Sequence, residues 1–351
     1  MNVVLHLPNW IGDVVMATPT IRALRQHFGT GATLTGIMRP DIADVLAGTD
    51  WLDETIYFDR RSQTVERRAR AVVGQLRRLR PDVIVLFPNS LSSGLLAWRS
   101  GARRRIGYAR NGRSPLLTHR LRHPRSGRSW TPVSAVDAFL ELAYAVGCPP
   151  QSRQLELATR PEDERTVDQI WDRLDLSRSR QVVIFNTGGA FGAAKDWPGE
   201  YFVELAQRTV ADHDAAVLVI CGPGERDNAA RIEKQAAHPR ILSMADQDLS
   251  LGVAKACVRR SQLMVTTDSG PRQFAAAFRV PVVSLFGPID PRWSLNDHPG
   301  ETRLQHAVEC GPCGERVCPL GHHQCMRDLT VDRVYHEVAK KLHANLATQA
   351  A

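Results

Sequence analysis

An α/β protein of two units, each a parallel sheet with helices on both faces, is what this sequence predicts. Three observations carry the prediction. The chain has 351 residues, more than one hydrophobic core usually serves. Short β-rich runs alternate with stretches of helical period. The alternation then restarts after a polar stretch over residues 151–163.

In the first half, the apolar run 3–7 reads as a strand buried on both faces, and residues 14–28 set apolar side chains at helical spacing. Further strands are expected at 33–37, 55–58 and 83–87, with a basic helix over 64–79 that Pro81 stops. Residues 110–132, rich in Arg, Gly, Ser and Pro, read as irregular; a helix over 134–146 closes at Gly147 before Pro149 and Pro150. In the second half, strands are expected at 182–185, 216–220, 263–266 and 282–285, and helices near 198–210, 225–237, 249–258 and 271–278. A last helix, about 331–346, follows a Cys-rich loop. The expected division is 1–155 and 156–330, with the segment 331–351 packing back on the first domain.

Composition narrows the function classes. Hydrophobic residues make up 43% and charged residues 23%, as in a soluble globular protein. No apolar run approaches the roughly 20 residues of a bilayer span, and the start lacks the pattern of a signal peptide, so a cytoplasmic location is expected. The net charge of +8 rests mostly on arginine and concentrates in residues 60–80 and 99–128, the latter without Asp or Glu. Such runs are either solvated faces or a surface that meets phosphates of a lipid headgroup, a membrane or nucleic acid. No nucleic-acid reading motif or interleaved aromatics accompany them, so no nucleic-acid partner is expected.

Open parallel sheets bind ligands at the carboxyl ends of their strands. The loops to inspect are therefore 8–13, 186–196, 221–225 and 267–271. In the first, Asn9 and Gly12 lead to Asp13 at the start of a helix, where a carboxylate is either a cap or a base that works through proximity. In the second, Thr187, Gly188 and Gly189 offer a hydroxyl and exposed N–H groups, and Lys195 adds a cation before Pro198, a plausible phosphate cradle. It is neither a Walker A motif nor a dinucleotide fingerprint. In the last, Asp268, Ser269 and Gly270 precede Pro271, where they either cap the helix or present N–H groups to a diphosphate. Glu225, in the Gly222-Pro223-Gly224 turn, either stabilises the next helix or accepts from ribose hydroxyls.

These loops, in this order, resemble those of family 9 glycosyltransferases, the ADP-heptose:lipopolysaccharide heptosyltransferases, over nearly the whole chain. The elements that carry the likeness are Gly12-Asp13 with residues 14–19, the run Ala194-Lys195-Asp196-Trp197-Pro198, and Thr267-Asp268-Ser269-Gly270-Pro271 followed by Ala275-Ala276-Ala277 and Leu285-Phe286-Gly287-Pro288. The run from Asn9 to Asp13 and the late cysteines are most similar to the heptosyltransferase II branch.

The resemblance implies a GT-B fold, two Rossmann-like domains facing across a cleft, with acceptor on the first and nucleotide sugar on the second. It implies inverting transfer of a heptose or related sugar from an ADP-sugar to a lipopolysaccharide inner-core or similar lipid-linked acceptor, at the inner-membrane surface and with no cofactor for catalysis. It assigns Asp13 as the base that deprotonates the acceptor, Lys195 as the cation that neutralises the departing diphosphate, and Asp268, Ser269 and Gly270 as phosphate binders. The sequence departs from the family where Met-His is usual and Arg272-Gln273 stands. Gln273 can donate a hydrogen bond to phosphate but carries no charge, and Arg272 compensates only if it turns toward the cleft. That departure keeps a second reading open, a non-catalytic nucleotide- or glycan-binding protein on the same scaffold.

Four of the seven cysteines, Cys310, Cys313, Cys318 and Cys325, crowd the late loop with His322 and His323. In a reducing compartment this favours metal or redox chemistry over structural disulfides. A structural zinc, an iron–sulfur cluster, and reduced or paired thiols all fit the spacing. Nothing in the sequence places the cluster at the phosphate loops, so no catalytic role is assigned to it. Cys148, Cys221 and Cys257 read as small buried residues.

Overall fold

The computed structural model describes residues 1–127 and 129–350. Arg128, the last residue of the second basic segment, lies outside them. The chain divides into two compact units, Met1–Ala158 with Arg292–Asn296, and Thr159–Pro291 with Asp297–Ala351.

In the first unit, six strands, β1 (Asn2–His6), β2 (Thr33–Met38), β3 (Glu54–Tyr57), β4 (Val83–Leu86), β5 (Arg104–Tyr108) and β6 (His119–Leu121), form one parallel sheet in the order β3-β2-β1-β4-β5-β6. Val3 of the central strand lies between Leu34 and Val83. Among the described residues its α-helices are α1 (Ile11–Met16), α2 (Thr18–Phe28), α3 (Ala69–Leu79), α4 (Leu91–Arg99) and α5 (Ala135–Val146). Val4, Ile84 and Leu86 pack with Val72 and Leu76 of α3 and Leu96 of α4. The expected helix over 14–28 is two helices. Thr18 donates its hydroxyl to the Val15 carbonyl, and Pro19, which lacks an N–H, restarts the chain as α2. The basic stretch 64–79 is likewise divided, because extended Arg68 separates a 3-10 turn, Val65–Arg67, from α3. Residues read as irregular hold the edge strand β6 and a short hairpin, β7 (Arg125–Ser126) with β8 (Ser129–Trp130).

The second unit repeats the plan. Its strands β9 (Gln181–Asn186), β10 (Ala215–Ile220), β11 (Ile241–Ser243), β12 (Leu263–Thr267), β13 (Val282–Phe286) and β14 (Glu301–Gln305) run parallel in the order β11-β10-β9-β12-β13-β14. Its helices are α6 (Pro161–Arg173), α7 (Gly199–Asp212), α8 (Arg226–Ala236), α9 (Leu251–Arg260), α10 (Arg272–Phe278), α11 (Gln324–Arg327) and α12 (Val331–Ala350). Val183 and Phe185 bury against Phe202 and Leu205 of α7, Ile232 of α8 and Val334, Val338 and Leu342 of α12. The final helix thus completes the core of the second unit.

Both sheets share the order 3-2-1-4-5-6, so the order of strand addition reverses between the first and fourth strands of each unit. The loops after β1 and β4, and after β9 and β12, flank these switch points, where open parallel sheets hold ligands.

Candidate functional site

In the first unit, Trp10 precedes α1 and Asp13 sits in its first turn, so Asp13 lies just inside the helix rather than at the cap. Asn9 is exposed, Gly12 and Asp13 are half-buried, and Trp10 retains 48% of its surface. The neighbouring loop after β4 is fixed by a residue that sequence reasoning missed. Arg113 is fully buried. It donates from Nε to the Tyr108 carbonyl at 2.9 Å, from Nη1 to Ser93 Oγ at 2.9 Å and to the Pro88 carbonyl, and from Nη2 to Asn89 Oδ1 at 2.9 Å. Burial, followed by the nearby Arg110 charge, pulls its pKa down to about 10. Part of the second basic segment is therefore internal bracing. Another part is layered: Arg110 and Arg125 lie 4.1 and 4.4 Å from the Trp130 ring.

Behind them, at the end of β1, His6 is buried with an unpartnered Nδ1. Burial first, and Arg113 second, lower its pKa to about 4, so it stays neutral at ordinary pH.

In the second unit the loops after β9, β10 and β12 converge. Lys195 Nζ donates to Asp268 Oδ2 at 2.6 Å and to the Asp268 carbonyl at 2.8 Å, and it lies 4.6 Å from the Phe191 ring centre. The side chains of this pair keep 15% and 10% of their surface, so the interaction is partly desolvated but reachable. Asn186, at the end of β9, donates to the Gly188 carbonyl at 3.0 Å, to Thr266 Oγ1 at 3.1 Å and to Ser269 Oγ at 2.9 Å, tying two loops together. Thr187 Oγ1 accepts from Asn228 Nδ2 at 3.0 Å. Glu225 Oε2 accepts from the Gly222 N–H at 2.8 Å, while its other oxygen stands against Gly188, where any Cβ would overlap the carboxylate. A Cβ on Gly189 would come within 3.2 Å of Ser269 Cβ. Gly270 follows these residues, its carbonyl accepting from the Gln273 N–H at 3.0 Å. Thr187, Gly188, Lys195, Glu225, Asp268, Ser269 and Gly270 are thus brought to one end of one sheet.

Arg272 does not take the outward direction on which its compensating role depends. Gln273 is buried, with 2% of its surface left. Arg272 is wholly buried and does not turn out to the loops as a replacement cation. Its Nε and Nη2 meet Glu301 Oε1 and Oε2 at 2.5 and 3.0 Å, its Nη1 lies 3.6 Å from Asp268 Oδ1, and its guanidinium lies 4.9 Å from the Phe286 ring centre. Glu301 also accepts from Ser284 Oγ at 2.6 Å. Burial acts to raise the Glu301 pKa, but Arg272 and Ser284 outweigh it and leave the carboxyl below its ordinary value. The result is a line of alternating charges, Glu301, Arg272, Asp268 and Lys195, that ends at the loop mouth.

The Cys-rich loop, which nothing in the sequence placed at the phosphate loops, is packed on the segment that bears Lys195. Ala194 donates its N–H to the Arg316 carbonyl at 3.0 Å, and His323 Nε2 lies 2.8 Å from the Ala194 carbonyl oxygen. At Gly192, whose φ is 145°, an added Cβ would stand 2.5 Å from the Arg316 carbonyl. All seven cysteines are free thiols; Cys148 and Cys257 are buried and Cys221 half-buried. Among the described residues no group of three or more His, Cys, Asp or Glu side chains is already set to hold a metal ion.

Comparison with known proteins agrees with the geometry. Residues 69–324 match the model of glycosyltransferase family 9 (heptosyltransferase). The chain is similar to lipopolysaccharide heptosyltransferase 2 of Escherichia coli K12, 26% identical over 357 residues that cover 96% of this chain and 97% of that protein. It is also similar to lipooligosaccharide heptosyltransferase 2 of Campylobacter jejuni, 23% identical over 344 residues, 97% of this chain and 99% of that one. Among solved structures, E. coli ADP-heptose lipopolysaccharide heptosyltransferase II superposes with a TM-score of 0.78 at 23% identity, covering 98% of this chain and 99% of that one. The likeness places the two parallel sheets in the GT-B class of fold.

Proposed function

This chain belongs to glycosyltransferase family 9, and from that premise we propose that it moves a heptose, or a closely related sugar, from an ADP-sugar to a lipopolysaccharide inner-core or similar lipid-linked acceptor, with inversion at the anomeric carbon. The observation that carries the reading is the Lys195–Asp268 pair, 2.6 Å apart among the loops at the carboxyl ends of β9 and β12.

Transfer requires charge to grow on the leaving diphosphate, and fixed donors in a partly dry site stabilise that charge best. An ammonium has three N–H donors, of which two are directed at Asp268, so one is available to a phosphate oxygen. In this reading the amides at Gly188, Gly189 and Gly270 and the hydroxyls of Thr187 and Ser269 receive the diphosphate, while Glu225 accepts from ribose hydroxyls. Gln273, whose N–H bonds the Gly270 carbonyl at 3.0 Å, is the neutral side chain at this helix start that can donate to phosphate. In the first unit, Asp13 takes the proton of the attacking acceptor hydroxyl, with Asn9 and Gly12 shaping its surroundings. In this reading the reactivity of Asp13 comes from placement beside the hydroxyl. The basic residues of 60–80 and 99–127 that reach solvent face acidic groups of the acceptor or of the inner-membrane surface, making the enzyme a peripheral cytoplasmic one. Among the described residues no helix is long and apolar enough to cross a membrane. No cofactor takes part in the chemistry, and a metal at Cys310, Cys313, Cys318 and Cys325 would be structural.

The test is Asp13→Asn, which preserves size and position. Transfer to a lipid-linked core acceptor, followed by mass spectrometry, is expected to fall about 10²- to 10⁴-fold, with ADP affinity within about twofold of the parent. Undiminished turnover would remove Asp13 as the base, and failure of the parent to use any ADP-heptose would remove the substrate.

A further inference from the structure

We propose that Cys310, Cys313, Cys318 and Cys325 bind one metal ion of the zinc class through their thiolates, and that this ion braces the segment carrying Lys195. The first half stands on the loop itself; the functional half rests on the reading of Lys195 as a donor-site cation.

The four cysteines line one small cavity of about 20 Å³, together with Ala194, His322 and His323. A volume of ~10–15 Å³ admits a single water, so this space suits one ion and not a larger ligand. Cys310-Gly311-Pro312-Cys313-Gly314 gives the two-residue spacing of a thiolate knuckle, and Gly314, with φ 75°, turns the chain back immediately after the second cysteine. A second turn follows Cys318, where the Gly321 N–H bonds the Cys318 carbonyl at 3.2 Å and the left-handed residues Gly321 (φ 69°) and His323 (φ 55°) turn the chain toward Cys325. His322 Nε2 stands 3.8 Å from Cys310 Sγ, so the two turns meet. Among the described residues the thiols are not gathered as a ligand set, so binding requires the loop to close on the ion, with the thiol protons released to solvent.

Closure of this loop acts on its neighbour. The carbonyl of Arg316, between Cys313 and Cys318, receives the Ala194 N–H, and His323, between Cys318 and Cys325, meets the Ala194 carbonyl. Ala194 precedes Lys195, whose own N–H is bonded to the Gly192 carbonyl at 3.1 Å. Gly314 donates to the Pro288 carbonyl at 2.8 Å, so the loop is also tied to the end of β13. A metal that fixes the two turns therefore fixes both polar groups of Ala194. Four sulfur ligands favour zinc, or iron as the competitor, over oxygen-seeking magnesium or calcium.

The experiment uses the full chain, purified in reductant and desalted. Elemental analysis is expected to find about one zinc or iron per chain in the parent and less than about one fifth of that in the Cys310→Ser, Cys313→Ser double variant. A parent free of both metals overturns the site. The brace is read by hydrogen exchange, which needs no variant to fold: stripping the metal with a mercurial and a chelator is expected to speed exchange at the amides of 194–196 about 10-fold, reversed by reductant and zinc. Unchanged exchange there overturns the brace. Titration with ADP completes the set, with affinity expected to drop about 10-fold on stripping. If the metal-loaded protein binds metal and shows the exchange effect but no ADP, the donor-site reading fails and the metal brace stands.

Discussion

Replacing Arg272 by methionine tests the charge line most directly. The substitution leaves Glu301, whose side chain is 2% exposed, with Ser284 and with Arg303 at 3.8 Å as partners, while Asp268 loses the guanidinium at 3.6 Å. Truncating one member of a buried ion pair costs about 3–5 kcal/mol, because the other charge stays behind. Arg303 is 36% exposed and screens only part of that, so a loss of about 3 kcal/mol is the lower expectation. For a unit of this size each kcal/mol moves the melting point by roughly 2–4 °C, giving a fall of about 6–20 °C. Calorimetry of the whole chain, with the transition of the second unit identified by its shift on adding ADP, reads this. The double variant Arg272→Met, Glu301→Gln removes both charges and is expected to recover more than half of the loss.

The same variant carries a pH signature. In the parent, Glu301 is held below its ordinary pKa, so its stabilisation is present above about 4.5 and is lost as pH falls through the folded value. Without Arg272, burial dominates and raises the Glu301 pKa, so lowering the pH protonates the carboxyl and relieves the variant. The gap between parent and variant therefore narrows toward acid. A deficit that is constant from pH 7 to 5, or a double variant that loses as much as the two single changes together, would refute the charge line.

Two further expectations address other parts of the molecule. Because the pKa of His6 is lowered from 6.5 to about 4, the unfolded chain binds a proton that the folded one refuses, and the first unit loses about 3 kcal/mol as pH falls across that window at ~1.4 kcal/mol per unit. Chemical denaturation of His6→Gln should show a shallower acid dependence than the parent, and identical slopes would exclude His6 as the source. Gly188→Ala should weaken ADP about 10-fold in calorimetric titration, since Glu225 must swing away and surrender the Gly222 N–H, whereas Gly189→Ala should cost less. A reversal of that order would separate Glu225 from the nucleotide.

What the sequence revealed followed from burial. Strands covered on both faces are continuous apolar runs, so β1, β4, β9, β10, β12 and β13 were legible, and the glycines and Lys195 that follow them marked the loops. The outer strands β5, β6 and β14 were not, because Arg104, Arg105, His119, Arg120, Glu301 and Arg303 break the apolar pattern at sheet positions that need less of it. Helices α4 and α6 were also missed. The first is short and rich in serine, and the second begins at Pro161 in a stretch whose charges hide Val167 and Ile170, its buried residues. Arg113 had no local signal at all: its partners lie on the loop after β4 and on β5, and only the parallel crossover brings them together.

The Arg272 position shows why residue type alone misleads at such a site. An arginine beside a phosphate loop suggests a ligand contact, yet the neighbour that decides its direction is Glu301, on the edge strand β14. Because Glu301, which also accepts from the Ser284 hydroxyl, accepts from the guanidinium, turning Arg272 outward would leave a buried carboxylate short of its main partner, which costs more than one exposed phosphate contact returns. The cation is thus committed to Asp268 from behind, and Lys195 is held twice: its ammonium by Asp268, and its backbone through Ala194 by the cysteine loop. Two supports converging on one lysine serve electrostatic preorganisation, because a donor that must reorganise as the diphosphate departs loses the advantage over water. Loosening either support should therefore reduce turnover by the same route, and loosening both should reduce it less than the two separate losses combined.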